Sequence, residues 1–246
     1  MLWRRFPGLV PKVVGVDDRR GWMLTEDFGT SPHAADPAGA VDAYVHMMPR
    51  FARLQRGLAG QTDRLLSASC PDHRLEVLPD LYGALVDHTD ALTNAERRRL
   101  TALSGRFRAL CARLRESGVP QTIVHQDLWR GNHTATAAGP LIYDWAESVV
   151  GHPFLSLDVV LRDVRSIAPG DVSAERRVTD AYLREWGDLR DAVSHRDAVP
   201  LASAPGVVSR ALLCADALTS LPSSLAGLYA GTVAAQLREL LVPHRL

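Results

Sequence analysis

Apolar residues recur along this chain mostly at helical spacing, every three or four positions. A helix is predicted to begin near Pro37, a residue that the first turn of a helix accepts. Its buried face is predicted to carry Val41, Tyr44, Val45, Met48, Phe51 and Leu54. Residues 75–86 predict a second, shorter helix. After residue 158 the pattern is helical throughout, and helices are predicted over 159–167, 173–186, 198–218 and 223–241.

A capping box predicts the start of a long central helix. Thr93 and Glu96 have the spacing in which each side chain accepts a hydrogen bond from the other residue's backbone N–H. Gly118 and Pro120 are expected to end this helix. Its arginine-rich outer face fits a solvated surface, which is favoured, or an anion site. The core face of the helix is predicted to carry Leu100, Leu103, Phe107, Leu110 and Leu114.

Short apolar runs rich in β-branched residues predict a few strands. Residues 12–16 and 22–25 are such runs, and a polar turn separates them, so a hairpin is predicted near the N-terminus. Residues 123–124 and 141–142 predict two buried strands with a turn at 137–140 between them. The chain is therefore predicted to be α+β, with a small β part and a mostly helical remainder.

Composition gives the broad class and several exclusions. The 246 residues are 46% hydrophobic and 23% charged, as in an ordinary globular protein of one domain or two closely packed domains. The formal net charge is zero, so we expect no general attraction to nucleic acid or to an anionic membrane. The most apolar stretch, 225–241, is interrupted by polar residues and predicts a buried helix instead of a membrane span. Three scattered cysteines predict neither a disulfide framework nor a zinc site, and they favour a cytoplasmic location.

Polar residues follow both buried strands and form the candidate site. Asp127 and Asn132 delimit the loop after the first strand, residues 127–132, which we call the catalytic loop; Asp144 ends the second strand. We expect the two strands to hold these side chains at one edge of the fold. The set suits phosphoryl transfer, because one carboxylate can accept a hydroxyl proton while an asparagine and a second carboxylate hold Mg²⁺ on a nucleotide. The alternatives are a loop cap for Asp127, a turn residue for Asn132 and a strand-end cap for Asp144.

Four sequence blocks resemble the aminoglycoside phosphotransferase and choline kinase-like family, relatives of the protein kinases. The blocks are W-M-L-T-E-D-F-G at 22–29, H-Q-D-L-W-R-G-N at 125–132, I-Y-D-W at 142–145 and G-H-P-F-L-S-L-D at 151–158. The resemblance implies a protein-kinase-like fold. It also implies that Asp127 is the catalytic base and that Asn132 and Asp144 are Mg²⁺ ligands.

The resemblance implies further roles outside these three residues. Glu26, Asp27 and Phe28 would form a hinge whose backbone groups bind the adenine of ATP. Asp158 would brace the catalytic loop through backbone N–H groups. His125, directly after apolar residues, is expected to be structural.

The N-terminal part departs from the resembled family. No G-x-G-x-x-G or P-loop pattern precedes the hinge. Lys12 is the only lysine, and its surroundings resemble the strand nearer the hinge, not the strand that carries the family's phosphate-binding lysine. We therefore expect a remnant of the small N-terminal lobe with the hinge at 1–29 and a helical C-terminal lobe at 30–246. An upstream segment or a partner chain would supply the rest of the small lobe.

Three functions fit the pattern, in descending order. The leading hypothesis is an ATP- and Mg²⁺-dependent phosphotransferase that acts on a hydroxyl of a small molecule, such as a sugar, an aminoglycoside-like compound or an amino alcohol. Acidic residues that could face a cationic acceptor are Glu147, Asp163 and Asp171. The second hypothesis is a non-catalytic kinase-like fragment or binding module without the nucleotide-clamping lobe. The third, a metal-dependent hydrolase, lacks the expected clusters of metal ligands.

Overall fold

The structure is a computed structural model that describes residues 2–29, 37–187, 194–220 and 231–242. Within these residues the helices, α1 to α11 in chain order, are Leu2–Arg5, Pro37–Leu58, Thr62–Ser67, Leu78–His88, Asn94–Ala102, Ser104–Arg115, Phe154–Ile167, Val172–Leu183, His195–Ala198, Ser203–Ser220 and Thr232–Glu239. The strands, β1 to β6, are Val13–Asp17, Trp22–Thr25, Thr122–His125, His133–Thr136, Gly139–Ile142 and Ser148–Gly151. The predicted α+β class with a mostly helical part is confirmed.

The described strands form three antiparallel pairs. β1 pairs with β2, which agrees with the predicted N-terminal hairpin. β3 pairs with β6, and β4 pairs with β5. The two strands that were expected to hold the candidate site together, β3 and β5, therefore belong to different sheets. That expectation was wrong in its mechanism, because each strand found its partner in a neighbouring segment that the sequence pattern did not identify as a strand.

The predicted helices are present, with shifted ends. In α2 the predicted core face is buried except for Val45, which is only partly covered. The capping box of Thr93 and Glu96 is formed and opens α5. The predicted long central helix is divided into α5 and α6, because the N–H of Leu103 donates to Leu100 and forms a tighter turn. Gly105, in the first turn of α6, weakens helical continuity at the same place.

Asp171, not the predicted Ser173, caps α8. The Asp171 carboxylate accepts hydrogen bonds from the N–H groups of Ser173 and Ala174 at 2.9 and 3.0 Å. A carboxylate reaches these unpaired N–H groups and is favoured by the positive end of the helix dipole. Of the predicted helix over 223–241, residues 221–230 lie outside the described ranges, and the rest contains α11.

The chain forms two compact units. The first contains Met1–Leu58, Asp127–Ala146 and Val159–Asp188, and the second contains Ala59–Gln126, Glu147–Asp158 and Leu189–Leu246. In the first unit α2 packs against α8. In the second unit α10 packs against α4 and α11. The candidate site residues Asp127, Asn132 and Asp144 all belong to the first unit.

The predicted boundary after residue 29 adjoins residues 30–36, which the structure does not describe. The expected division into a small-lobe remnant at 1–29 and a helical lobe at 30–246 therefore stays a prediction.

One helical stretch in the described part of the chain, His195–Ser220, is long and apolar enough to cross a membrane. This is a statement about length and composition only. Half of its most apolar window is buried inside the protein, and the core helix of a soluble protein passes the same test.

Candidate active site

The strand that leads into the catalytic loop is held firmly within its own unit. His125, at the end of β3, is fully buried, and its N–H donates to the hydroxyl of Ser156 at 2.9 Å. The N–H of Gln126 donates to the carbonyl of Glu147 at 3.2 Å. His125 is thus placed as a core residue, in agreement with its expected structural role.

The catalytic loop is closed by hydrogen bonds between its own residues. The N–H of Asn132 donates to Trp129, and the N–H of Trp129 donates to Asp127, at 2.9 and 3.0 Å. The side-chain amide of Asn132 donates to the Asp127 carboxylate at 2.6 Å and to the Asp127 carbonyl at 2.8 Å. The Trp129 ring lies over Gly131, where an added Cβ would stand 2.2 Å from the ring. The loop therefore presents Asp127 and Asn132 as one joined pair.

Asp144 is tied to this pair through the residue before it. The N–H of Tyr143 donates to the carbonyl of Asn132 at 3.0 Å, and its hydroxyl donates to the carbonyl of Gly131 at 2.5 Å. Asp144 itself is exposed and has a φ of +57°, a left-handed conformation that is uncommon outside glycine but tolerated by aspartate. Such conformations concentrate at functional sites, where the surrounding structure maintains them.

Electrostatics show that the two carboxylates are near one another. Burial raises the pKa of Asp127 above its usual value, and the charge of Asp144 raises it further. Hydrogen bonds from Asn132 and Trp129 oppose this rise. The structure therefore brings together the three residues that the sequence analysis selected, while their roles in catalysis and metal binding stay predictions.

The donor atoms fit Mg²⁺. Because the amide nitrogen of Asn132 is bound to Asp127, its Oδ1 is the atom left for a metal. Asp144 adds a carboxylate, and Mg²⁺ is commonly held by one or two such oxygens together with substrate phosphates. Among the described residues no group of three or more His, Cys, Asp or Glu side chains forms a separate metal cluster. Asn132 and Asp144 are the residues that would hold this ion.

An apolar cavity of about 560 Å³ adjoins Asp144 in the same unit. Phe28 lines it, and the Phe28 ring packs against Tyr143 with centroids 4.8 Å apart. Leu2 and Trp3 of α1 also line it, a contribution that no sequence pattern indicated. The remaining lining residues are Val10, Pro11, Val13, Met23, Thr25, Tyr143, Trp145 and Ala146.

The three predicted hinge residues do not all face this cavity. Glu26 and Asp27 line a second cavity of about 620 Å³, which Phe28 also borders. The backbone N–H of Glu26 donates to Lys12 at 2.9 Å, and its carboxylate forms an ion pair with the Lys12 side chain. Asp27 accepts from the N–H of Gly29 at 2.9 Å. Phe28 is thus the one predicted hinge residue that lies in the cavity together with Asp144.

Two acidic residues proposed to face a cationic acceptor have other partners in the first unit. Asp163 accepts hydrogen bonds from Tyr44 and Arg130 and has a side chain only 10% exposed. Asp171 caps α8. Both are therefore placed differently from the expectation, because a carboxylate that already accepts several hydrogen bonds is not available to attract a ligand.

The expected brace of the catalytic loop is also different. Asp158 accepts a hydrogen bond from Arg210 at 3.1 Å. The backbone N–H of His125, just ahead of the loop, instead donates to Ser156, two residues earlier. The sequence offered no signal for Ser156, since one hydroxyl among apolar helix residues is a common feature.

The chain was compared with known proteins. Residues 6–197 match the model of the phosphotransferase enzyme family. Among solved structures, the chain is similar to a choline/ethanolamine kinase family protein from Mesorhizobium loti, with a TM-score of 0.62, 18% identity, and coverage of 97% of this chain and 78% of that chain. The choline kinase from Streptococcus pneumoniae gives 0.59, 15%, 97% and 78%, and an aminoglycoside 2′-phosphotransferase in a GDP complex gives 0.59, 17%, 97% and 78%. No curated protein sequence matches the chain. At these identities the structural likeness shows the fold, so the predicted kinase-like α+β fold is confirmed.

Proposed function

We propose that this chain, which belongs to the phosphotransferase enzyme family, is an ATP- and Mg²⁺-dependent kinase that phosphorylates a hydroxyl of a small molecule. The observation that carries the proposal is the joining of Asp127, Asn132 and Asp144 in one unit beside an apolar cavity. A proton acceptor, two oxygen donors for Mg²⁺ and a site for a nucleotide base are the parts that phosphoryl transfer needs.

Each residue has a defined task in this proposal. Asp127 orients the acceptor hydroxyl and takes its proton late in the transfer. Its raised pKa increases its proton affinity and therefore suits it to this task. Asn132 and Asp144 would hold Mg²⁺, which when bound offsets the charge of the phosphates. Phe28 would contact the base within the apolar cavity.

Replacement of Asp127 by Asn tests the catalytic assignment. We expect turnover to fall by about 10²–10⁴-fold, the usual contribution of a positioned base, while the binding of Mg²⁺ and ATP persists. Asp90→Asn, which alters an exposed loop carboxylate, is the matched control and should keep full turnover. Steady-state phosphate transfer to a panel of hydroxyl acceptors provides the measurement. Unchanged turnover in Asp127→Asn would refute the assignment.

The second candidate is a non-catalytic kinase-like binding module. The observation that favours it is the exposure of apolar side chains on the β1–β2 hairpin, including Trp22 at 66% and Val16 at 62%. Such a surface suits contact with another protein segment, either an upstream extension or a partner chain that completes the small lobe. A thermal-shift titration with Mg²⁺ and ATP separates the candidates. The kinase requires a shift that EDTA removes, and the binding module requires none.

The remaining parts of the proposal concern surroundings. A net charge of zero supports a small-molecule substrate over nucleic acid or membrane as the partner. All three cysteines are free thiols, which supports the reducing cytoplasm as the compartment.

A further inference from the structure

Asp163 lies at the centre of a buried cluster that the proposed mechanism does not use. It belongs to α7, and three groups donate hydrogen bonds to its carboxylate. The Tyr44 hydroxyl donates at 2.8 Å, the backbone N–H of Arg130 at 3.1 Å, and the Arg130 guanidinium at 2.8 Å. The Asp163 side chain is 10% exposed and the Arg130 side chain 26%. Tyr44, on α2, is fully buried.

The contact with the backbone of Arg130 distinguishes this cluster from an ordinary ion pair. Arg130 lies between Asp127 and Asn132 in the catalytic loop, so a carboxylate bound to its N–H acts on the path of the loop itself. The guanidinium is bound by the same carboxylate, which fixes the residue at two points. A buried ion pair is weak evidence for a gain in stability, because removal from water offsets much of the attraction. Fixing the loop geometry is therefore the stronger reason for the cluster.

The environment of Tyr44 supports this arrangement. Burial raises the pKa of Tyr44 far above its usual range, and the charge and hydrogen bonding of Asp163 raise it further. The phenol therefore remains a hydrogen-bond donor to Asp163 at physiological pH. The charges of Arg130 and Asp127 also act on the phenol, which shows that the cluster is close to the candidate base.

We propose that Asp163 is a positioning residue, which clamps Arg130 and thereby holds the catalytic loop in the geometry required between Asp127 and Asn132. The clamp follows from the contacts alone, whereas its catalytic consequence rests on the proposed kinase function. The two parts have separate measurements.

Hydrogen exchange measures the clamp without any substrate. In Asp163→Ala we expect faster exchange of the backbone amides of residues 127–132, because the acceptor of the Arg130 N–H is gone. The matched control is Glu175→Ala, which removes the ion pair of Glu175 with Arg165 of the same helix, at 2.7 Å, and should leave the loop protected. Should Asp163→Ala fail to fold, Asp163→Asn, which keeps one acceptor oxygen, replaces it. Wild-type protection of the loop in the Asp163 variant would overturn the inference.

Kinetics measure the positioning. Asp163→Asn should lower kcat by up to about 10²-fold, the effect of a misplacement of about 1 Å, and leave KM for the nucleotide unchanged, since Asp163 lines neither described cavity. The double variant Arg130→Ala/Asp163→Ala should be no slower than the slower single variant, because both act through one contact. Wild-type kcat in Asp163→Asn, or independent losses in the double variant, would overturn positioning. If the wild-type chain transfers no phosphate, the kinase proposal fails, and hydrogen exchange alone decides the clamp.

Discussion

At the scale of single residues, Gly131 occupies a position of the catalytic loop where a side chain does not fit. An added Cβ would lie 2.2 Å from the Trp129 ring, far inside contact distance, and the neighbouring ring atoms are almost as close. The Trp129 ring is held over the loop and donates to Asp127, so it cannot move without changing the surroundings of the candidate base. The glycine is therefore required by a close approach and not by a positive φ.

Gly131→Ala tests this requirement. We expect the displaced Trp129 ring to shift the loop and lower kcat by about 10²-fold, as for a misplacement of about 1 Å. In a Trp129→Ala background the clash is absent, so the further loss from Gly131→Ala should disappear. Gly83→Ala is the control: it lies in α4 with nothing within 4 Å of the added Cβ, and it should keep kcat and raise stability by about 0.5–1 kcal/mol. Equal losses in both backgrounds would contradict the steric explanation.

At the scale of elements, Glu96 joins the start of α5 to α11. It accepts from the backbone N–H of Thr93 in the capping box and from the guanidinium of Arg238 at 2.7 Å. The Arg238 hydrogen bond is the main cause, followed by those from Thr93, that lowers the pKa of Glu96 from 4.5 to about 2. A carboxyl whose folded pKa is depressed adds stability above its unfolded pKa and loses it as the pH falls through the folded value.

Glu96→Gln is therefore expected to lower Tm at pH 7 and to lose this effect in acid. The difference in Tm from wild type should be constant above about pH 5, shrink below the unfolded pKa of 4.5, and be small near pH 2. Calorimetry or circular dichroism over this range is the measurement. Asp80→Asn, which removes an exposed ion pair with Arg108, should change Tm little at any pH. A Tm difference for Glu96→Gln that is independent of pH would contradict the linkage.

At the scale of the whole molecule, the exposed apolar surface is concentrated on the β1–β2 hairpin. Among the described residues, five of the large apolar side chains that are most exposed belong to it: Val14, Val16, Trp22, Met23 and Leu24, all between 59% and 66% exposed. Within the described strands, the hairpin pairs with no third strand. Apolar side chains beside unpaired strand edges favour pairing with another chain.

We therefore predict that the isolated chain self-associates through this hairpin as its concentration rises. The double variant Trp22→Thr/Leu24→Thr should reduce association, because both side chains are exposed and threonine retains strand propensity. Val172→Thr removes an equally exposed but separate apolar side chain, 73% exposed in α8, and should not reduce it. Sedimentation velocity over a concentration series gives the answer. A wild-type chain that stays monomeric throughout would contradict the prediction.

Local patterns determined much of this protein by themselves. Helical periodicity identified α2 and α4, the Thr93 and Glu96 spacing identified the start of α5, and alternating apolar runs identified the hairpin. Each of these depends on residues close together in the chain, whose backbone hydrogen bonds and side-chain faces follow from short-range geometry. The chemical identity of the candidate site was also readable, because Asp127, Asn132 and Asp144 are the residue types that phosphoryl transfer uses.

Only the tertiary structure decided how these parts meet. β3 and β5 entered different sheets, and the candidate residues come together instead through the hydrogen bonds of Tyr143 to the catalytic loop. Asp163 binds Arg130, 33 positions away, and Trp3 lines the cavity beside Asp144. Such contacts depend on which distant segments pack together, and one residue's own neighbours in the chain carry no record of that choice.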